Sequence, residues 1–456
     1  MKDVISRSAL AQSALLREGA LSVEDLTRAY LERVDRLDTR YNAFAQRAPE
    51  HAIDAARALD RARRKDPSVA RGPLWGVPTA MKDIHLARGM FARLGSRSFR
   101  YFWSPVDDVS TAAVRRAGMV IMGKLATSEL AILPVIDHDL HPPTRNPWDV
   151  TRYSGGSSGG SSAAISAGMM PIAVASDGAG SIRIPAAFCG LIGHKPTRDL
   201  VPNPFARFEA LSLSVIGPHA RTVDDAAALL DVLRAERRGT PFVETVRRPP
   251  SRLRVRFTTK NPLVETEAPI AEAVRRVAKE LEALGHSVEE AGPFEGSLED
   301  FLPMFEFLAH GMFVPRASLL QPVTKWLREK GRKVTLEDAL ARRDLFRARV
   351  DTWMGDADVM VTPTVARQAP TVGAWSAHGP EELFREAAPL GAFTAVFNAS
   401  GNPATTIPLW PSGGGLPAGV QLVGARGRDA MLLSLARVLL DAFGTPITPI
   451  APDALR

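Results

Sequence analysis

Cysteine is nearly absent from this chain: one residue in 456, Cys189. An internal disulfide is therefore excluded, and a reducing compartment is expected. The thiol sits in Ala187-Phe188-Cys189-Gly190, a run that reads as a small buried residue and not as a nucleophile. Long apolar runs are absent as well. No stretch approaches the roughly eighteen uninterrupted apolar residues of a membrane-crossing helix, and residues 1–20 carry no apolar signal-peptide core. These absences lead to the expectation of a cytoplasmic protein with no membrane partner. Repeats are lacking too, and low complexity is confined to one Gly/Ser stretch.

Hydrophobic residues make up 45% and charged residues 23%, the balance of a soluble globular chain long enough for a large core. The formal net charge is +7, which raises the question of nucleic acid. The arginines, however, are spread along the chain in pairs such as Arg115-Arg116 and Arg247-Arg248, mostly beside acids. That pattern reads as a solvated basic surface, and no nucleic-acid partner is expected.

Local signals alternate between strand and helix. Ser22 with Asp25 and Thr222 with Asp225 are capping-box-like helix starts, predicting helices to about Leu37 and Leu233. Pro49 opens another helix. Helical patterns cover 110–117, 161–168, 268–284, 336–353 and 429–443. Strands are expected within 74–82, 119–122, 171–176, 251–260, 286–291, 358–362, 404–409 and 419–423. Residues 239–251, with three prolines, read as a surface crossing. The alternation predicts an α/β fold, a mixed β-sheet surrounded by α-helices.

The chemistry concentrates between Tyr153 and Cys189. Ser154-Gly155-Gly156-Ser157-Ser158-Gly159-Gly160-Ser161-Ser162 precedes Asp177-Gly178-Ala179-Gly180-Ser181-Ile182-Arg183-Ile184-Pro185. Upstream lies Gly76-Val77-Pro78-Thr79-Ala80-Met81-Lys82-Asp83. Two serines in glycine-rich backbone and one lysine in an apolar segment are the parts of a hydrolase that needs no histidine. A serine hydroxyl attacks only when a base takes its proton. A lysine is that base only when burial lowers its pKa. Glycines let backbone N–H groups approach a developing oxyanion. Asp177 and Arg183 read as a structural pair bracing the loop.

These motifs closely resemble the amidase signature family, which carries G-V-P-x-x-x-K-D, G-G-S-S-G-G-S and D-x-G-G-S-I-R-x-P in that order. Seventy-five residues separate Lys82 from Ser157 and 24 separate Ser157 from Ser181, which suits the family. The likeness continues through 188–197, 358–364, Asn398, Gly401, Pro403-Ala404 and 415–424, and is least specific between about 235 and 355. It implies one amidase-signature domain over 1–456, with a catalytic core at about 74–200. It also implies the roles: Lys82 the base, Ser157 the bridging serine on a cis peptide, and Ser181 the nucleophile. Gly178, Ala179, Gly180 and Ser181 supply the oxyanion N–H groups, and Ser158 helps hold Lys82. The substrate is a small-molecule amide, with esters also open to attack. No metal and no cofactor is implied, and a homodimer is expected on general grounds.

Three departures from the family concern substrate choice. Alanine stands at 179 where glycine is usual, His194 and Asp199 replace apolar or glycine residues, and Leu125-Ala126 replaces Thr-Asn. Two local motifs point elsewhere. Gly156-Ser157-Ser158-Gly159-Gly160 fits the G-x-S-x-G elbow around Ser158, but the needed Asp and His (Asp224, His286 or His310) have no local support. Gly118 to Lys124 fits G-x-x-x-x-G-K, but Leu125 stands where a phosphate loop needs Ser or Thr, and the intervening residues read as a strand. His138, Asp139 and His141 read as rim or surface residues and not as a metal cluster. Phe301 to Leu308, with Met312 and Phe313, reads as core or as a pocket wall, as do Phe99, Tyr101, Phe102 and Trp103. A wall of either kind favours hydrophobic amides. The competing function is that of the A subunit of a glutamine-dependent tRNA amidotransferase, working in a complex. Against it, Arg198-Asp199-Leu200-Val201 is unlike the corresponding stretch of such proteins.

Overall fold

A computed structural model describes residues 1–205, 209–234, 239–411 and 414–455. Among these described residues thirteen strands follow one another: β1 Phe44–Arg47, β2 Pro78–Lys82, β3 Val120–Leu125, β4 Arg145–Asn146, β5 Asp149–Tyr153, β6 Ile172–Asp177, β7 Ile192–Lys195, β8 Val215–Ala220, β9 Arg254–Phe257, β10 Ser287–Glu290, β11 Val359–Pro363, β12 Ala404–Leu409 and β13 Ala418–Gly424. Strands β4 and β5 form a separate ribbon. The other eleven make one sheet in the order β1-β3-β2-β6-β8-β7-β12-β13-β11-β9-β10. The sheet is mixed: β2 runs parallel to β3 and β6, the middle from β6 to β11 is antiparallel, and β9 and β10 are parallel again.

The period-two alternation of a strand sends successive side chains to opposite faces, and both faces are covered. Met81, Ile121, Ile172 and Val174 enter one apolar cluster with the helices Val223–Leu233, Ala268–Ala283 and Asp429–Ala442. Ala80, Val120, Met122 and Ala173 enter a second, with the helices Val23–Tyr41 and Gly159–Ser166. Lys82 follows Met81 and so shares the face of Ala80, toward the small-residue helix Gly159–Ser166. That helix packs unusually close. A Cβ built on Gly160 would meet backbone atoms of Ala126 and Ala43 at 2.5–2.6 Å, so only glycine fits there.

The capping signals hold. Ser22 Oγ accepts from Asp25 N at 2.9 Å and Thr222 Oγ1 from Asp225 N at 3.0 Å. The first helix runs on to Tyr41, four residues past the expected end. Strands β1, β4, β5, β7 and β8 were not expected from local pattern. The stretch 239–251 is not a plain surface crossing. Phe242–Thr245 is a short helix, the N–H groups of Phe242 and Val243 donate to Asp231 at 2.9 and 3.0 Å, and Val246 is buried.

Candidate active site

Lys82 ends β2 with its ammonium nitrogen fully enclosed. Nζ lies 2.7 Å from Ser157 Oγ, 2.9 Å from Ser158 Oγ and 2.8 Å from Ser176 Oγ. Ser157 and Ser158 lead directly into the helix Gly159–Ser166, and the Gly156–Ser157 peptide bond is cis. Ser176 is the penultimate residue of β6, the parallel neighbour of β2. Burial drives the Lys82 pKa down to about 7, with the negative charge of Asp177 opposing the shift. A large fraction of this lysine is therefore neutral, with a lone pair, near neutral pH. Ser176 had no sequence signal beyond its place next to Asp177. Its partnership with Lys82 spans 94 residues and exists only once β2 and β6 pair.

The segment after β6 is tied down by Asp177. Its Oδ1 accepts from Gly180 N at 2.6 Å and its Oδ2 from Ile182 N at 3.1 Å. Arg183 meets the same carboxylate with Nε and Nη2, each at 2.9 Å, and reaches Thr394 O, Gln421 Oε1 and Asn398 Oδ1 with its remaining hydrogens. Both side chains are buried. Burial alone would raise the Asp177 pKa, but the charge and hydrogen bonds of Arg183, with Lys195 and Asn398, hold it well below the usual carboxylate range. The expected bracing pair is thus present.

The N–H of Gly180, expected among the oxyanion donors, turns instead to the Asp177 carboxylate. The N–H groups of Gly178, Ala179 and Ser181 have no acceptor among the described residues. Gly180 has φ +130°, and a Cβ there would lie 2.2 Å from Thr394 Oγ1, so glycine is required. Ala179 does not have positive φ, so its methyl is unstrained. Its carbonyl accepts from Thr394 Oγ1 at 2.7 Å.

Gly178, Ala179 and Ser181 form part of the wall of a cavity of about 910 Å³, open solvent at its mouth included. Much of the rest of the lining is aromatic. Phe294, Phe301, Phe305, Phe346 and Phe384 line the cavity and touch in sequence, with ring centroids 5.8–6.1 Å apart. The helix Leu298–Gly311 supplies Phe301 and Phe305, while Leu302 and Met304 on the same helix are buried in the interior. This run is both wall and core, divided by helical period. Among the described residues, no charged side chain lines the cavity. The other expected wall does not line the cavity: Phe99 is buried behind it, in the cluster that also holds Phe305 and Phe384, and Tyr101, Phe102 and Trp103 are exposed.

The departures His194, Asp199, Leu125 and Ala126 do not line the cavity either. His194 is buried between Thr405 Oγ1 at 2.8 Å and Asp429 Oδ1 at 3.2 Å. Lys124 lies inside β3, its Nζ held by Asp83 Oδ1 and the carbonyls of His85 and Phe91, which leaves no loop for a phosphate. Ser158 Oγ lies against Lys82 and the Ser176 carbonyl. Asp224 pairs with Arg437, and His286 and His310 meet backbone groups of Leu253 and Arg328, so no elbow triad forms. His138 and His141 point ring nitrogens at the carbonyls of Thr127 and Phe44, and Asp139 faces Arg97 at 3.7 Å.

A family model described as Amidase matches residues 25–433. The 6-aminohexanoate-cyclic-dimer hydrolase of Pseudomonas sp. (strain NK87) is 32% identical over 474 residues, covering 95% of this chain and 94% of that protein. The solved structure of 6-aminohexanoate cyclic dimer hydrolase complexed with substrate superposes with a TM-score of 0.88 at 29% identity, over 99% of this chain and 100% of that one. The A component of the glutamyl-tRNA(Gln) amidotransferase of Thermotoga maritima superposes with a TM-score of 0.78 at 25% identity, over 98% of each chain. Among the described residues no helix is long and apolar enough to cross a membrane.

Proposed function

The chain belongs to the amidase family, and on that premise we propose that it hydrolyses hydrophobic small-molecule amides through an acyl-enzyme on Ser181. The observation that carries this reading is the buried Lys82 Nζ, 2.7 Å from Ser157 Oγ, in a chain whose Ser181 lines an aromatic cavity.

Neutral Lys82 takes the proton of Ser157 Oγ as Ser157 takes that of Ser181 Oγ. Ser181 Oγ bonds to the amide carbon, and the carbonyl π pair moves onto oxygen. The N–H groups of Gly178, Ala179 and Ser181 are the donors available to that oxyanion, a contribution of several kcal/mol in such sites, roughly 3 per donor. The relay then runs backwards: Ser157 protonates the nitrogen as its bond to carbon breaks, and the amine leaves. Water enters, gives its proton to the same relay, attacks the ester, and releases the acid and Ser181. Asp177, Arg183, Ser158 and Ser176 hold the parts in place. No metal or cofactor takes part in this scheme, and the whole chain, 1–456, works as one catalytic domain.

Labelling with a fluorophosphonate, followed by mass spectrometry and a panel of aryl, alkyl and peptide amides, tests the proposal. Label on Ser181 with turnover of apolar amides is the expected result. A second reading, a component of a tRNA amidotransferase, draws on the likeness to the Thermotoga maritima protein. It requires an isolated chain that is silent on every simple amide.

A further inference from the structure

The wall of the active cavity does not close at the loop 259–266. Asn261 and Leu263 line the cavity on one side and a second, outward groove on the other. The loop is built to stay in place. Thr266 Oγ1 donates to Thr259 O at 2.7 Å, and Asn261 Nδ2 donates to Ala392 O at 3.1 Å. Val264 is buried against Ala366, Phe393 and Ala392. Glu267 N donates to Ala366 O at 2.9 Å and its carboxylate accepts from Gln368 N at 3.2 Å. Ala392 itself lines the cavity, two residues before Thr394, which holds the Ala179 carbonyl. The lip formed by Asn261 and Leu263 is therefore fixed relative to the Ser181 loop.

The outward groove carries Lys260, Arg275 and Arg367 against one acid, Glu265. Arg275 and Arg367 are exposed and have no hydrogen-bond or ion-pair partner among the described residues. Lys260 is 70% exposed and reaches an acid, Glu290, only at 3.9 Å. Many other surface arginines here hold an acid closely, as Arg28 holds Glu24, Arg385 holds Glu299 and Arg426 holds Asp351. Two unpartnered guanidiniums and a loosely paired lysine, beside a cavity lined without charge, form a two-part recognition surface. An apolar group is accepted inside, and an anion is accepted at the lip and nowhere deeper, because a carboxylate without a partner is costly to bury.

We infer that this groove is a carboxylate subsite, and that the preferred amide joins an apolar half to a part bearing a carboxylate. The inference rests on the amidase reading above and narrows its substrate class. The carboxylate belongs either to the amine half, as in an N-acyl amino acid, or to the acyl half, as in a dicarboxylic acid monoamide. A planar guanidinium pair suits both.

The test compares matched amides: phenylacetylglycine with N-methyl-phenylacetamide, and a dicarboxylic acid monoanilide with the anilide of the corresponding monoacid. The wild type and Arg275→Gln/Arg367→Gln are assayed in low and high salt. The expected result is a higher kcat/KM for one of the carboxylate compounds, falling roughly fivefold to tenfold in the double variant and shrinking with salt, while the neutral compounds are unaffected. Which pair shows the preference identifies the half that carries the charge. Equal rates for charged and neutral partners, or an equal loss on both in the variant, overturns the subsite while turnover of the neutral amides still upholds the amidase reading. Failure of every compound overturns both.

Discussion

Lys82 Nζ lies 2.8 Å from Ser176 Oγ, making Ser176 one of three hydroxyls around a single buried amine. The proton inventory gives this arrangement a direction. Ser158 Oγ donates to Ser176 O at 3.1 Å, so it accepts from Lys82. A neutral amine has two hydrogens and one lone pair. With Ser158 and Ser176 taking the hydrogens, the lone pair is left for the proton of Ser157. Ser176→Ala should lower kcat about tenfold, the kinetic equivalent of one hydrogen bond to a charged group, with little change in KM. The ammonium form has three hydrogens to satisfy and loses most by the change, so the acid limb of the pH profile should move to lower pH. A loss of kcat with an unmoved limb would reduce Ser176 to a packing role.

The pH dependence follows from the same lysine. Burial lowers Lys82 to about 7, and only the neutral form can take a proton. Activity should therefore be full above about pH 8 and decline through pH 7 as the amine becomes charged. Lys195 is also lowered to about 7 by burial, its Nζ donating to Pro196 O at 3.0 Å and to no other acceptor among the described residues. The unfolded chain, with lysines near 10.4, binds more protons than the folded chain between about pH 7 and 10. These two groups therefore add stability as pH rises through that window. Urea midpoints of the wild type should rise more between pH 7 and 9 than those of Lys195→Met.

Arg183 and Asp177 form the buried pair that fixes the Ser181 loop, through the N–H groups of Gly180 and Ile182. Arg183→Ala leaves the carboxylate buried with amide donors alone. Breaking such a pair costs about 3–5 kcal/mol, visible as a lower urea midpoint, and activity should vanish with the loop geometry. Arg183→Lys should recover part of the stability and little of the activity. One ammonium cannot make the two parallel bonds to Asp177 while reaching Thr394, Gln421 and Asn398.

The parts read most directly from sequence were those with a local cause. The Ser22 and Thr222 caps announce their helices, and the apolar runs of β3, β6 and β11 announce buried strands. Lys82, Ser157 and Ser181 stand in motifs whose residue types already state a chemistry. What stayed hidden depends on distant partners. Strand β8 places Pro218 opposite Val174 within the sheet, and a proline argues locally against a central strand. Strand β1 is four residues at an edge, Phe44-Ala45-Gln46-Arg47, too short for a clear period. Ser176 acquires its role only when β6 lies beside β2. The aromatic wall is half legible: Phe301 and Phe305 are one helical turn apart, but Phe346 and Phe384 arrive from other helices.

That wall governs the last prediction. Phe305 contacts Phe301 and Phe384 at 6.0 and 6.1 Å between centroids and lines the same cavity as Ala179 and Ser181. Removing its ring takes away apolar contact worth about 2–3 kcal/mol for a substrate group that fills the space. Phe305→Ala should raise KM for compact aryl amides by roughly ten- to a hundredfold while improving turnover of bulkier acyl chains. Ala179→Gly enlarges the same space by one methyl, without relieving strain, because Ala179 has no positive φ. It should broaden tolerance for branching beside the reacting carbon and leave KM for unbranched amides nearly unchanged. A series of amides graded by chain length and branching, assayed on both variants, separates the two effects. If length and branching respond alike in both, Phe305 and Ala179 do not face different parts of the substrate.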